Sequence, residues 1–338
     1  MSEQAYRVLI FGAGSIGCYI GGRLLSAGAD VIMVGRPRMQ AVFKEHPLKV
    51  TDYEGFSVEH SVPETRYVSS ADVAADADLV LVCVKSAATR EAGQTLAPFV
   101  RAGVPVISLQ NGISNASELQ KTMPDATVLA GMVPFNVLQQ APGHFHQGTE
   151  GHLMAAEHET LKAALPWFDN AGLPLELRPD IESVMWSKLL LNLNNPVNAL
   201  SGVPLLEELS QRDYRLVLAM AQKETLQLLK QAGIPTINLT GLPTRLIPVL
   251  MSAPNWVFTR VAKKMLTIDP VARSSMWEDL QAGRPTEVDW INGEVVRLAE
   301  SLGAQAPVNQ KLVELMHQQE KDPRPWGPES LLKAIEQA

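Results

Sequence analysis

Four short runs in the first third of the chain are almost wholly apolar: RVLIF (7–11), DVIMV (30–34), LVLVCV (79–84) and VPVISL (104–109). Runs of this length without a polar face predict strands covered on both sides, as in a parallel sheet between helices. The segments SIGCYIGGRLLSAG and SAATREAGQTLAPFV carry apolar residues at helical spacing, and Gly28 is placed to cap the first of them. The order strand, helix, strand, helix follows. Further strands are expected within 127–178, in TVLAGMVPFNV, GHFHQG and LPLELR, closing the same sheet. From Asp180 the texture changes. Leu, Met, Ala and Gln recur at helical spacing over 181–200, 210–232, 286–302 and 307–320, while Pro235, Pro243, Pro248 and Pro254 break up a connecting region. The pattern predicts an α/β domain with a mostly parallel, doubly wound sheet over residues 1–179, and an all-α domain over 180–338.

Composition agrees with two soluble domains. The chain has 338 residues, 46% hydrophobic and 19% charged, and no run approaches the ~20 apolar residues of a membrane span. It enters RVLIF almost directly after Met1 with no basic, apolar, small-residue leader, so the cytoplasm is the expected location. The net charge of −7 contains no block of like charge, which argues against nucleic acid or an anionic membrane surface as partner. Cys18 and Cys83 form no CxxC and read as small buried hydrophobes.

Chemistry begins directly after the first apolar run, at GAGSIG: Gly12, Ala13, Gly14, Ser15, Ile16 and Gly17. The GxGxxG spacing between a strand and a helix suits a dinucleotide. Gly12 makes the turn, Gly14 carries no side chain to obstruct a pyrophosphate, Gly17 lets the helix pack closely, and the helix N-terminus faces the anion. A carboxylate at the end of the next strand would bind the 2′-hydroxyl of NAD. This strand ends VIMVGRPR instead, and Arg36, with Arg38 behind it, offers a guanidinium to the 2′-phosphate of NADP. The alternative is an exposed loop arginine. Lys85 of VKS and Asn111 of QNG, followed by Gly112, fall at later strand ends, where ligands of open α/β sheets lie.

In the helical half, WSKLLLNLNNPVN sets Lys188 and Asn192 one turn apart on the expected helix, and Pro196 predicts a kink or helix end near Asn192. Such a lysine can protonate the oxygen of a carbonyl as hydride reaches its carbon, provided burial lowers its pKa; otherwise it is a snorkelling surface lysine. In SSMWEDLQAGRPTEVDWING, Ser275 and Asp279 are again four apart, and Thr286 is placed as an N-cap with Glu287 in the first turn, where a carboxylate is often only a dipole partner. His144 and His146 share one face of an expected hairpin strand, without a third metal ligand in view.

Together GAGSIG, VKS, QNG, WSKLLLN, NPVNAL and SSMWEDLQAGRPTEVDWING resemble the ketopantoate reductase (2-dehydropantoate 2-reductase) family, in order and over essentially the whole chain. The resemblance implies an N-terminal Rossmann domain, an all-helical C-terminal domain, an active site in the cleft between them, and NADPH-dependent reduction of ketopantoate to pantoate on the way to pantothenate and coenzyme A. It implies Lys188 as the catalytic lysine, Asn192 and Asn195 as substrate-binding amides, and Asn111 as an amide near nicotinamide and substrate. Ser275 becomes a substrate-binding serine, and Glu287 the acid on the substrate's far hydroxyl. Gly12, Ala13, Gly14, Ser15, Ile16, Gly17, Arg36 and Lys85 become the NADP(H) set. One departure stands out: LNLNNP leaves two residues between Asn192 and Asn195 where the family keeps three, so Asn198 is an alternative for the second amide.

The expected function is therefore an NADPH-dependent reductase of a small-molecule 2-oxo acid. Two alternatives are a paralogue acting on another 2-oxo acid and a non-enzymatic NADP redox sensor, for which a general-acid lysine has no use. A β-hydroxyacid dehydrogenase also sets a lysine four residues before an asparagine. The sequence leaves the oligomeric state open, a homodimer included.

Overall fold

The computed structural model describes residues 6–262 and 271–338, and the chain falls into two compact units, one ending at Ile181 and the next starting at Glu182. The strands of the first unit are β1 (Arg7–Phe11), β2 (Asp30–Val34), β3 (Leu48–Asp52), β4 (Ser57–His60), β5 (Tyr67–Val68), β6 (Leu79–Val82), β7 (Pro105–Ser108), β8 (Thr127–Met132), β9 (Val137–Ala141), β10 (His144–Gln147), β11 (Leu153–Ala156) and β12 (Leu175–Arg178). Eight form one sheet in the order β12-β11-β8-β7-β6-β1-β2-β5. From β5 across to β8 all neighbours are parallel; β11 runs antiparallel to β8, and β12 parallel to β11.

The unbroken apolar runs explain why this sheet is covered twice. Val8 and Ile10 of β1 pack on one face with Tyr19, Ile20 and Leu24 of the helix Ser15–Ser26. Leu9 packs on the other with Ala92 and Leu96 of the helix Thr89–Leu96 and Leu119 of the helix Asn115–Thr122. With both faces buried, alternation has no solvent side to report. The chain switches direction at β1: Phe11 pairs with Val34 of β2 on one side and Val82 of β6 on the other. Loops leaving the carboxyl ends of β1 and β6 therefore diverge, the place where open α/β sheets receive ligands.

The expectation that residues 127–178 all close this sheet holds for β8, β11 and β12 and fails for β9 and β10. These two join β3 and β4 in a second sheet of order β4-β3-β10-β9. The reason lies in their pattern. Four of the five residues of β9 are exposed, and β10 alternates half-buried and buried positions, so neither suits a sheet buried on both faces. The sheets are tied by Arg23, which reaches from the helix Ser15–Ser26 to the β3 carboxylate of Asp52 at 2.9 Å. Its guanidinium lies 3.7 Å from the centre of the Phe56 ring and donates to the carbonyls of Ala171 and Gly172.

The regular elements among the described residues of the second unit are helices. Its helices include Ile181–Asn192, which enters it from the boundary, then Asn194–Ser201, Leu205–Ser210, Arg212–Ala232, Ser275–Gln281, Val288–Ser301, Pro307–Lys321 and Pro328–Glu336. Its core includes Val184, Leu190, Val197, Leu200, Val217, Val295, Leu312 and Met316. Among the described residues no helix is long and apolar enough to cross a membrane.

Candidate active site

The three glycines of GAGSIG have three distinct surroundings. Gly12 has φ +96°, and a Cβ there would meet the Val84 nitrogen at 2.5 Å, so both conformation and space demand glycine. A Cβ at Gly17 would meet the Gly12 carbonyl oxygen at 2.7 Å and Ile10 Cγ2 at 2.8 Å, which sets how closely the helix approaches β1. A Cβ at Gly14 would meet nothing within 4 Å. Packing therefore does not explain Gly14; room for an external group beside the backbone does. The helix begins at Ser15 with no side-chain cap, so its first N–H groups have no intrahelical acceptor and suit an anion. The N–H groups of Gly12 and Ala13 donate to the Val34 carbonyl at 2.9 and 3.0 Å, fixing the loop to the end of β2.

Arg36 lies two residues beyond β2 and is exposed, as is Arg38. Tyr67 of β5 stands behind it, its hydroxyl 3.5 Å from the Ala13 carbonyl oxygen and 3.4 Å from that of Arg36. Burial pushes the Tyr67 hydroxyl well above its ordinary pKa, so it remains a neutral donor between the two loops. Lys85 follows β6 and is exposed, while Asn111 follows β7 and is half-buried. A buried polar network sits under them. The Ser86 hydroxyl donates to the Asn111 carbonyl at 2.9 Å, Thr89 donates to Asn115 at 2.7 Å, and Gln110 donates to Thr89 at 2.7 Å. These residues fit a dinucleotide: an uncapped helix end, a vacant approach at Gly14 and cations flanking it.

The helix expected over 181–200 is two helices. The first ends at Asn192, Leu193 lies between with φ −58° and ψ −12°, and the second starts at Asn194. Pro196 is the third residue of the second helix, where its missing N–H costs no intrahelical bond. Trp186, Ser187, Leu189 and Leu190 are buried, whereas Lys188, Leu191 and Asn192 are half-buried and mark one strip of the surface. Burial pushes the Lys188 amine down from 10.5 to about 8, and the Glu287 carboxylate offsets part of that effect. Glu287 is 6% exposed and caps the helix Val288–Ser301 by position only.

Thr286 does not serve as the N-cap its sequence position suggests. Its N–H and hydroxyl both reach the Glu320 carboxylate, at 2.8 and 2.7 Å, and this leaves the cap position to Glu287. Ser275 opens the helix Ser275–Gln281 and is exposed, while the cap is Ser274, whose hydroxyl accepts from the Trp277 N–H. Asp279 turns inward to Arg284 at 3.0 Å, so the Ser275–Asp279 spacing does not create a shared polar site. Asn195 is half-buried beside this cap, its carbonyl accepting from the Ser274 hydroxyl at 3.2 Å. Asn198, the alternative amide, is fully buried and occupied: Nδ2 donates to Val203 and Glu208, and Oδ1 accepts from Ser274. Both ends of its amide are thus engaged within the protein.

One unit thus carries an uncapped helix end with open space at Gly14, and the other a lysine whose amine is lowered to about 8 with Glu287 acting on it. That combination suits hydride transfer to a carbonyl. Comparison with known proteins agrees. Residues 8–159 match the family described as Ketopantoate reductase PanE/ApbA, and residues 180–320 match its C-terminal model. The chain belongs to the ketopantoate reductase family. It is an oxidoreductase of the NAD(P)-dependent kind.

Its relatives within the ketopantoate reductase family match over most of both chains. The 2-dehydropantoate 2-reductase of Halobacterium salinarum is 28% identical, over 94% of this chain and 99% of its own. That of Pyrococcus abyssi is 26% identical over 90% and 94%. Among solved structures, the PanE/ApbA family ketopantoate reductase of Ralstonia eutropha JMP134 aligns with a TM-score of 0.80 at 27% identity, over 93% and 98% of the two chains. D-mandelate dehydrogenase with NADH and anilino(oxo)acetate shares the fold, with a TM-score of 0.76 at 20% identity.

Several supporting residues escaped the motif-based reading of this ketopantoate reductase family member. Ser86, Thr89, Gln110 and Asn115 hold the turns that carry Lys85 and Asn111. Only the VKS and QNG neighbourhoods signalled them. Tyr67 lies between β2 and β6 in a stretch without a motif, and Glu208 looks like any helix glutamate. His144 Nε2 and His146 Nδ1 each lie 2.8 Å from the Thr51 hydroxyl, and no group of three metal-binding side chains occurs among the described residues.

Proposed function

We propose that this chain reduces ketopantoate to pantoate with NADPH, a step toward pantothenate and coenzyme A, and does so in the cytoplasm. The observation that carries the reading is Lys188. Its amine is brought to about 8 on a half-buried strip that also carries Asn192, with Glu287 nearby. The glycine loop from Gly12 through Ala13, Gly14, Ser15 and Ile16 to Gly17 would hold the pyrophosphate, Arg36 would hold the 2′-phosphate, and Lys85 and Asn111 would contact the rest of the cofactor. NADPH, when bound, supplies the hydride that reaches the 2-oxo carbon. Lys188 donates a proton to the oxygen as charge develops there, which neutralises the alkoxide. Asn192, Asn195 and Ser275 orient the 2-oxo acid, and Glu287 accepts from its hydroxyl while stabilising the ammonium form of Lys188.

The test is spectrophotometric NADPH oxidation with ketopantoate, repeated with NADH and with a panel of other 2-oxo acids. The reading requires ketopantoate to give the highest kcat/KM and NADPH to exceed NADH. Lys188→Ala should lower kcat on the order of 10²–10⁴-fold. A higher kcat/KM for another 2-oxo acid would instead support the paralogue reading, which the shortened Asn192–Asn195 spacing favours.

A further inference from the structure

Glu208 is a carboxyl group with 1% exposure that the proposed chemistry does not use. It lies in the short helix Leu205–Ser210, and its partners are amides from the NNPVN segment. Asn198 Nδ2 donates to Glu208 Oε2 at 2.7 Å and to the Val203 carbonyl at 2.9 Å, and the Asn194 side chain also hydrogen-bonds the carboxyl. The other end of Asn198 reaches a distant part of the chain, since its Oδ1 accepts from the Ser274 N–H at 2.8 Å. Ser274 in turn caps the helix that begins with Ser275 and donates its hydroxyl to the Asn195 carbonyl. Two more contacts fasten the same corner: the Leu205 N–H donates to the Ala272 carbonyl at 2.9 Å, and the Arg273 guanidinium donates to the Gly202 carbonyl.

We propose that Glu208 is a positioning residue that holds Asn195 and Ser275 as one unit, acting through Asn194 and Asn198. It touches neither substrate nor cofactor. Its carboxyl fixes the Asn198 amide, which dictates where the chain enters the Ser275 helix. The same carboxyl, through Asn194, holds the first turn that contains Asn195. This explains why the segment carries asparagines beyond those a ligand could meet. An amide can donate to a carboxyl and accept from a backbone N–H simultaneously, and no apolar residue can link the two. The inference deepens the proposed function and rests on it for the identity of the bound acid.

The experiment compares Glu208→Gln, Glu208→Ala and Ser274→Ala in the full chain by steady-state kinetics and backbone hydrogen exchange. Glu208→Gln keeps an acceptor for Asn198 and should leave the ketopantoate KM within about threefold, whereas Glu208→Ala should raise it about tenfold or more with the NADPH KM unchanged. Exchange should quicken jointly in residues 193–201 and 272–276 while 214–229 remains protected. Ser274→Ala removes the hydroxyl that caps the helix and donates to Asn195 but keeps the backbone N–H bonded to Asn198, so it keeps the test open if Glu208→Ala does not fold. It should raise the ketopantoate KM about threefold. Unchanged KM, or exchange that rises evenly over the whole second unit, overturns the proposal and leaves Glu208 a packing residue. If the unmodified protein reduces no 2-oxo acid, the proposed function has failed, and the exchange pattern alone decides whether Glu208 couples the two segments.

Discussion

In the proposed reaction Lys188 gives up a proton near neutrality, and its surroundings set the pH at which it can. Reduction uses the ammonium form, so kcat/KM for the oxo acid should be level below about 8 and fall tenfold per unit above it, where an ordinary lysine would persist to 10.5. Oxidation of the hydroxy acid uses the neutral amine and should rise through the same pH. Burial is the larger cause and Glu287 the opposing one, so Glu287→Gln should move the break to lower pH as well as slowing turnover. A pH–rate profile of the two proteins checks both statements; a break that stays in place would separate Glu287 from the amine.

At the scale of elements, the turn from β1 into its helix separates folding from binding within three residues. Gly14→Ala adds a methyl group where the protein offers no neighbour, so the thermal midpoint should hold while dinucleotide affinity falls about tenfold or more. Gly12→Ala forces φ +96° on a residue with a Cβ and drives it into the β6 loop, which should cost about 1–3 kcal/mol of stability. Calorimetry with and without NADP+ distinguishes the two. The sequence made this turn legible because GxGxxG is a local signal with a fixed strand and helix on either side. The four central strands were legible for the same reason: their apolar runs have no other use. The second sheet was not, because LKVTD and SVEH are short, mixed in polarity, and paired through a parallel partner about a hundred residues away in sequence. Lys188 stood out through its misfit in a leucine-rich helix. The break at Leu193 was anticipated from Pro196, but Asn198 and Ser274 reveal their function only once Glu208 is seen between them.

Across the whole molecule, each unit has its own core, and the spectroscopic probes divide unevenly between them. Trp167 lies in the first unit, while Trp186, Trp256, Trp277, Trp290 and Trp326 lie in the second, so tryptophan fluorescence mainly follows the helical half. Burial pushes the Glu208 carboxyl up from 4.5 to about 8 against the donors Asn198 and Asn194. Glu207 also lies close, as does Tyr214, whose hydroxyl is raised by burial and then by the two glutamates. The folded state thus binds the extra proton between those two values, and stability of the second unit should decline as pH rises through that window. Glu208→Gln removes this titration. Its advantage in fluorescence-detected unfolding should grow from pH 5 to pH 8, reaching on the order of 2 kcal/mol. The tie between the sheets of the first unit bears on how such a sequence can drift. The side chains of Arg23 and Asp52 are only 7% and 8% exposed, and losing either one strands the other charge at a cost of about 3–5 kcal/mol. Replacing both by apolar residues leaves no charge stranded but still takes the Arg23 donors from the Ala171 and Gly172 carbonyls. Positions 23 and 52 are therefore coupled in energy as well as in space: the double change should cost less than the two single changes added together.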